Sequence, residues 1–315
     1  MYLNMKNKVL VLLSTYNGEK YVYAQLESIL SQKNVELSVL CRDDGSEDNT
    51  FEIVLEFVQT HKNITLIKGN NIGCAKSYYF LLEEAYRLRD QFDYFSFSDQ
   101  DDVWLENKLK RAIDCLEKEE IAKQQPYLYC SNLSIVDSNL RFIKLMNGNN
   151  VSLSKAGLLV ENVCTGCTMV FNRSVLDFFN QYKPDSFRLH DIWLADMCVF
   201  FGKIYYDNES YILYRQHRGN AIGSKYSLEM RLKSKWKSFK SLNTQHFREN
   251  DAKKVLEVYN GILKPEDKEI ISMIANLRTF KSRIRLLNNA KKLGFIMRSS
   301  IDNFWFKVRI ILGVV

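Results

Sequence analysis

Proline is nearly missing from this chain, at 3 of 315 residues. Cysteine is sparse too: 7 residues and no N-terminal signal pattern argue against a disulfide framework and for a reducing compartment. Cys164 and Cys167 in "CTGC" lack a second ligand pair. They read as small residues lining a packed strand rather than as half of a zinc site. Nothing approaches the roughly 18 uninterrupted apolar residues of a membrane span, and "VLVLL" (Val9–Leu13) is far too short. What remains is the composition of an ordinary soluble globular protein, 46% hydrophobic and 26% charged, long enough for one large domain or a domain with an appendage.

The charge is divided unevenly. Residues 225–315 carry 20 Lys and Arg against 8 Asp and Glu, leaving 24 against 29 in residues 1–224, so that +12 and −5 make up the net +7. A division near residue 224 follows, setting a basic helical region over 225–315 apart from residues 1–224.

The first half alternates between strand and helix patterns. Strands are expected at Lys8–Leu13, Glu36–Cys41, Ile64–Lys68 and Asp93–Ser98. Helical spacing covers Gly18–Gln32, Thr50–His61 and Cys74–Arg89. Such alternation predicts an α/β fold, a parallel sheet with helices on both faces, whose ligands bind where the loops gather at the strand C-termini. Three of those loops are chemically loaded: "STYNGEKY" (Ser14–Tyr21), "RDDGSEDNT" (Arg42–Thr50) and "SDQDDVW" (Ser98–Trp104).

Asp99 and Asp101 alternate around Gln100, so in an extended chain both point to one side. Paired carboxylates repel unless a cation or a shared proton offsets them. Oxygen ligands suit Mg²⁺ or Mn²⁺ carrying a diphosphate; a general acid/base pair and a solvated turn are the alternatives.

Taken in order, "LLSTYNGEKYVYAQLESILSQ", "CRDDGSEDNT", "GNNIGCAKSYYFLL" and "SFSDQDDVWLENKL" resemble glycosyltransferase family 2, closest to its bacterial polysaccharide rhamnosyltransferases. The resemblance covers roughly residues 8–223. It implies the GT-A fold, a Rossmann-like mixed sheet flanked by helices, as a catalytic domain over residues 1–224 with a nucleotide-sugar half over about 1–125 and an acceptor half over about 126–224, and the basic helical region as a C-terminal extension.

It further implies that Ser14 and Tyr16 contact the nucleotide base, that Asp44 accepts from the base ring N–H, and that Lys76 and Gln100 lie near the donor. Asp101, assisted by Asp99, would bind Mn²⁺ or Mg²⁺; Asp102 would serve the first turn of a helix beginning near Val103. Gly166 would allow close approach of backbone to ligand. Asp191 would be the catalytic base, with His190 tuning or positioning it. In "YRQH", Arg215 would face the donor diphosphate and His217 would complete the metal shell. One base and no second nucleophile implies inversion.

The resemblance implies a nucleotide-sugar donor, dTDP-rhamnose or a UDP-hexose, and a lipid-linked or oligosaccharide acceptor in cell-wall or capsular polysaccharide synthesis. A non-catalytic sugar-nucleotide or glycan-binding protein on this fold is the rival class. The amphipathic spacing in "KYSLEMRLKSKWKSFK" (Lys225–Lys240) and the mixed "FIMRSSIDNFWFKVRIILGVV" (Phe295–Val315) suggest two uses. One is contact with the inner face of the cell membrane by a cytoplasmic, peripheral protein; the other is helix packing, including a homodimer. No nucleic-acid module accompanies them.

Overall fold

The computed structural model describes residues 6–118, 125–148, 151–217, 246–277 and 279–313. The basic stretch Lys225–Lys240 lies outside the described residues. The chain forms two compact units. The first comprises residues 1–147 and 164–215; the second comprises residues 148–163 and 216–315.

In the first unit the expected alternation is present: β1 (Lys8–Thr15), α1 (Val22–Leu30), β2 (Glu36–Asp43), α2 (Thr50–Thr60), β3 (Ile64–Lys68), α3 (Cys74–Leu88) and β4 (Tyr94–Ser98). These are followed by β5 (Val103–Trp104), α4 (Lys108–Glu117), β6 (Tyr127–Val136), β7 (Phe142–Leu145), β8 (Val170–Asn172), α6 (Arg173–Gln181), α7 (His190–Phe201) and β9 (Lys203–Arg215); α5 lies in the second unit. The sheet order is β3-β2-β1-β4-β8-β6-β9-β5, with β7 against β6. β1 to β4 are parallel, β8 runs antiparallel to β4 and β6, and β9 is parallel to β6, giving a mixed sheet.

β1 shows why this sheet is covered on both sides. Residues Val9 to Leu13 are all buried, so neither parity of the strand faces water. Val9, Val11 and Leu13 pack with Val22, Leu26 and Ile29 of α1 and Leu109 and Ile113 of α4. Each such side chain contributes about 1.5–3 kcal/mol by leaving water.

Two local expectations are corrected. Val103 and Trp104 begin no helix; they pair antiparallel with Leu213 and Ile212 of β9, and the helix starts at Lys108. The segment around "CTGC" is not strand-lining: Gly166–Thr168 is a 3-10 turn, and the strand is confined to Val170–Asn172.

The second unit is helical: α5 (Lys155–Val160), α8 (Phe247–Tyr259), α9 (Pro265–Ala275), α10 (Phe280–Leu293) and α11 (Ser300–Leu312). Ser154, Thr279 and Ser299 cap α5, α10 and α11 by accepting backbone N–H bonds. Pro265 occupies the first turn of α9, where it gives up no helical hydrogen bond. Lys155 reaches both carboxylate oxygens of Asp267, at 2.7 and 2.8 Å, tying α5 to α9.

Candidate active site

Parallel register delivers the loaded loops to one edge. Thr15 stands opposite Asp43, Leu13 opposite Ser98, and Asp43 opposite Lys68. Because β8 runs the other way, the Gly166–Thr168 turn enters from the same edge, and β9 ends there with Arg215.

The first two loops brace each other. Asp43, buried, accepts from Thr15 Oγ1 (3.0 Å), the Ser46 N–H (3.0 Å) and Ser46 Oγ (2.6 Å). Asp44 is also buried. It is ion-paired with Arg42 and accepts from the backbone N–H groups of Ile72 (3.0 Å) and Gly73 (2.9 Å). Those bonds leave one of roughly four acceptor directions on its carboxylate. Arg42 also donates to Ser77 Oγ (3.1 Å), which lies 2.6 Å from Ser14 Oγ, so Ser14 ends a polar chain through α3 and β2. Lys76 is exposed on the first turn of α3. Tyr16 is exposed, and Gln100 holds its backbone: Oε1 accepts from the Tyr16 N–H at 2.8 Å and Nε2 donates to the Tyr16 carbonyl at 2.9 Å. A Cβ on Gly18 would sit 2.3 Å from Gln100 Oε1, so the clamp requires a glycine there.

The chain bends at Gln100 and Asp101 instead of staying extended. The bend turns Asp102 inward, where its carboxylate, that of Asp99 and the Cys167 thiol lie within 4.8 Å of one another. Asp101 is half-buried and adds its charge to both neighbours. Arg215 pins this loop: its N–H donates to Asp102 Oδ1 (3.2 Å), its Nε to the Asp101 carbonyl (3.0 Å) and its Nη1 to the Ser138 carbonyl (2.8 Å). Its guanidinium lies 4.8 Å from the centre of the Tyr21 ring. His217 stands two residues beyond β9, in the second unit.

Electrostatically the loop is loaded. Burial, then the charges of Asp101 and Asp191, raise Asp99 to about 7. Burial, then the charges of Asp101 and Asp99, raise Asp102 well above the carboxylate range, and its Oδ2 is buried without a partner. Carboxylates forced to keep protons, with an orphaned oxygen among them, are what an oxygen-liganded cation would relieve. The residues therefore fit a divalent metal ion.

Sequence reasoning missed two members of this site. Tyr78 of α3 is fully buried and donates to the Ser98 carbonyl (2.7 Å) and to Asp99 Oδ1 (3.2 Å). Lys108 is buried in the first turn of α4, with Nζ 3.1 Å from Ser96 Oγ and 3.5 Å from the Trp104 ring centre; burial lowers it to about 7. Both sit at positions that the helical pattern marks as core.

Across the site, α7 opens with His190 and Asp191, both buried. The imidazole stacks on Tyr78 with ring centres 3.7 Å apart and meets Phe97 edge-on at 4.5 Å. Neither ring nitrogen has a partner, and burial lowers His190 to about 3, so it is neutral. A Cβ on Gly166 would stand 2.6 Å from His190 Nε2. Gly166 thus admits the imidazole. Asp191 Oδ1 accepts its neighbour's N–H from Ile192 at 2.8 Å, and its charge reaches Asp99.

The chain belongs to glycosyltransferase family 2: the family model, Glycosyl transferase family 2, matches residues 10–179. It is 31% identical over 312 residues to the dTDP-rhamnosyl transferase RfbG of Shigella flexneri, covering 96% of this chain and 100% of that one. It is 29% identical over 192 residues to the UDP-Glc:alpha-D-GlcNAc-diphosphoundecaprenol beta-1,3-glucosyltransferase WfgD of Escherichia coli, covering 59% of this chain and 68% of that protein. Among solved structures, S. aureus TarS 1–349 in complex with UDP-GlcNAc shares the fold, with a TM-score of 0.55, 18% identity and coverage of 98% of this chain and 91% of that one. The protein is a glycosyltransferase of GT-A fold.

Proposed function

We propose that the protein transfers a sugar, with inversion, from a nucleoside-diphosphate donor to a lipid-linked or oligosaccharide acceptor in polysaccharide synthesis. L-rhamnose from dTDP-rhamnose is the donor that full-length similarity to RfbG favours. The similarity to WfgD supports a diphosphate-lipid-linked acceptor and makes a UDP-hexose the second donor to test. The observation that carries the catalytic reading is the acidic Asp99–Asp101–Asp102 loop, half-buried at Asp99 and Asp101 and buried at Asp102, opposed by Asp191 at the start of α7.

Asp191 takes the proton of the acceptor hydroxyl as its oxygen attacks the anomeric carbon. The bond from that carbon to the diphosphate breaks on the opposite face, so configuration inverts. Asp99 and Asp101 would hold Mn²⁺ or Mg²⁺; when bound, the ion supplies Lewis-acid stabilisation of the leaving diphosphate. Ser14, Tyr16 and Asp44 receive the base, Tyr16 through its exposed ring. Gln100 fixes the backbone of that loop, Lys76 offers a cation beside the donor, and Arg215 keeps the acidic loop in its bent form. His190, neutral and wedged between Tyr78 and Gly166, positions Asp191.

The test is nucleoside-diphosphate release by purified protein across dTDP-rhamnose, UDP-glucose and UDP-galactose, with acceptor mimic, Mn²⁺ or EDTA. Acceptor-stimulated, EDTA-sensitive release from dTDP-rhamnose alone is expected. Release from a UDP-sugar alone would overturn the rhamnosyl donor, and release unaffected by EDTA would overturn the metal.

A further inference from the structure

The basic surplus of the described C-terminal residues is concentrated in the last two helices. Residues 246–277 hold 5 Lys and Arg against 6 Asp and Glu, whereas residues 279–313 hold 8 against Asp302 alone. α10 and α11 run antiparallel: Arg283 of α10 donates to the Ile311 carbonyl in the last turn of α11 at 3.0 Å. Each helix exposes one stripe. On α10 it contains Phe280, Lys281, Ile284, Arg285, Lys291 and Lys292. On α11 it contains Phe304, Lys307 and Ile311, and Leu312 adjoins it. Phe280 is 72% exposed, Phe304 61%, Ile311 54% and Leu312 47%. Large apolar side chains grouped on one face, rather than scattered singly, mark an interaction surface.

Several cations are already engaged. Arg285 pairs with Glu269, Arg298 with Glu161, and Arg283 is spent on backbone carbonyls. Lys281, Lys291, Lys292 and Lys307 remain exposed and make no ion pair among the described residues. No described helix is long and apolar enough to cross a membrane.

We infer that the α10–α11 hairpin is a docking surface for an anionic lipid bilayer. Phe280, Phe304, Ile311 and Leu312 enter the headgroup layer and the four unpaired lysines face lipid phosphate. Alternating cations and apolar side chains on a helix face match the two contributions to interfacial binding, buried apolar area and attraction to anionic headgroups. Each lysine held near such a surface strengthens binding by about fivefold. The inference builds on the proposed lipid-linked acceptor, because a bilayer contact brings the enzyme to the plane in which that acceptor lies.

The test is co-sedimentation of the full chain with vesicles of phosphatidylcholine alone or mixed with phosphatidylglycerol. It is read beside nucleotide release with a water-soluble acceptor in the absence of vesicles. Binding is expected to require phosphatidylglycerol and to fall as salt is raised. The triple variant Lys281→Glu, Lys292→Glu, Lys307→Glu should weaken binding by more than about a hundredfold and leave soluble-acceptor turnover unchanged. Phe304→Ser with Ile311→Ser should weaken it at all salt concentrations. Equal binding to both vesicle types, or a triple variant that binds like the parent, would overturn the surface. So would a protein that ignores vesicles but forms a dimer dissolved by the same substitutions, which would assign the face to a second copy. Vesicle binding lost in the triple variant of a protein that releases no nucleotide would uphold the surface and remove the catalytic proposal.

Discussion

Asp99 is held between forces that oppose each other. Burial and the charges of Asp101 and Asp191 push its proton on, while the Tyr78 hydroxyl and the Cys167 thiol stabilise its ionised form. Tyr78 also stacks on His190, so one side chain touches both the carboxylate loop and the start of α7. Tyr78→Phe keeps the ring and deletes the donor. Mn²⁺ affinity, measured by calorimetry, should then fall about tenfold with the fold intact. His190 gives a pH prediction. Its folded value near 3 lies below the ordinary 6.5, so the unfolded chain binds more protons between those values. Stability should be full above pH 6.5 and fall as pH drops towards 3. In His190→Leu this component of the acid limb should be absent from urea midpoints taken across that range. The carboxylates were legible in the sequence because three of them follow an apolar strand. Tyr78 and Lys108 were not, since a buried polar residue on the inner face of a helix has the same spacing as a buried apolar one.

Elements place these residues by register. Strands β1 to β4 and helices α1 to α3 were legible because each is long enough to show its period and is bounded by turn residues. β5 was not: two residues, Val103 and Trp104, become a strand only by pairing with Leu213 and Ile212 of β9, far along the chain. The bend at Gln100–Asp101 that brings Asp102 inward is fixed by the same pairing and by Arg215, so an extended run was the natural but incorrect expectation. The clamp between the first and fourth loops makes its own prediction. Gln100→Ala frees the Tyr16 backbone and should raise the donor KM by about tenfold with kcat changed much less. Gly166→Ala sets a methyl against His190 and should cost about 1–3 kcal/mol of stability. Much of that cost should vanish in a His190→Ala background, a coupling that a double-mutant cycle measures.

On the scale of the whole molecule, the chain is a two-unit protein with a mixed sheet in one unit and helices in the other. The charge division near residue 224 falls inside the second unit, whose C-terminal part begins at residue 216. Nothing local marked residues 148–163 as part of it, because α5 joins α9 through a Lys155–Asp267 pair more than a hundred residues apart. The family was legible from four ordered motifs and is borne out by the match over residues 10–179. Donor choice was not, since pocket shape decides it and no motif encodes that shape. The account rests on a separation of duties between the Asp99–Asp101 loop and Asp191, and one experiment addresses it directly. Mn²⁺ binding and turnover would be measured together for the parent, Asp101→Asn and Asp191→Asn, with dTDP present. Asp101→Asn should lose both metal and turnover, whereas Asp191→Asn should keep metal and dTDP affinity and lose turnover by more than about a hundredfold. Substantial turnover by Asp191→Asn, or unimpaired Mn²⁺ binding by Asp101→Asn, would contradict it.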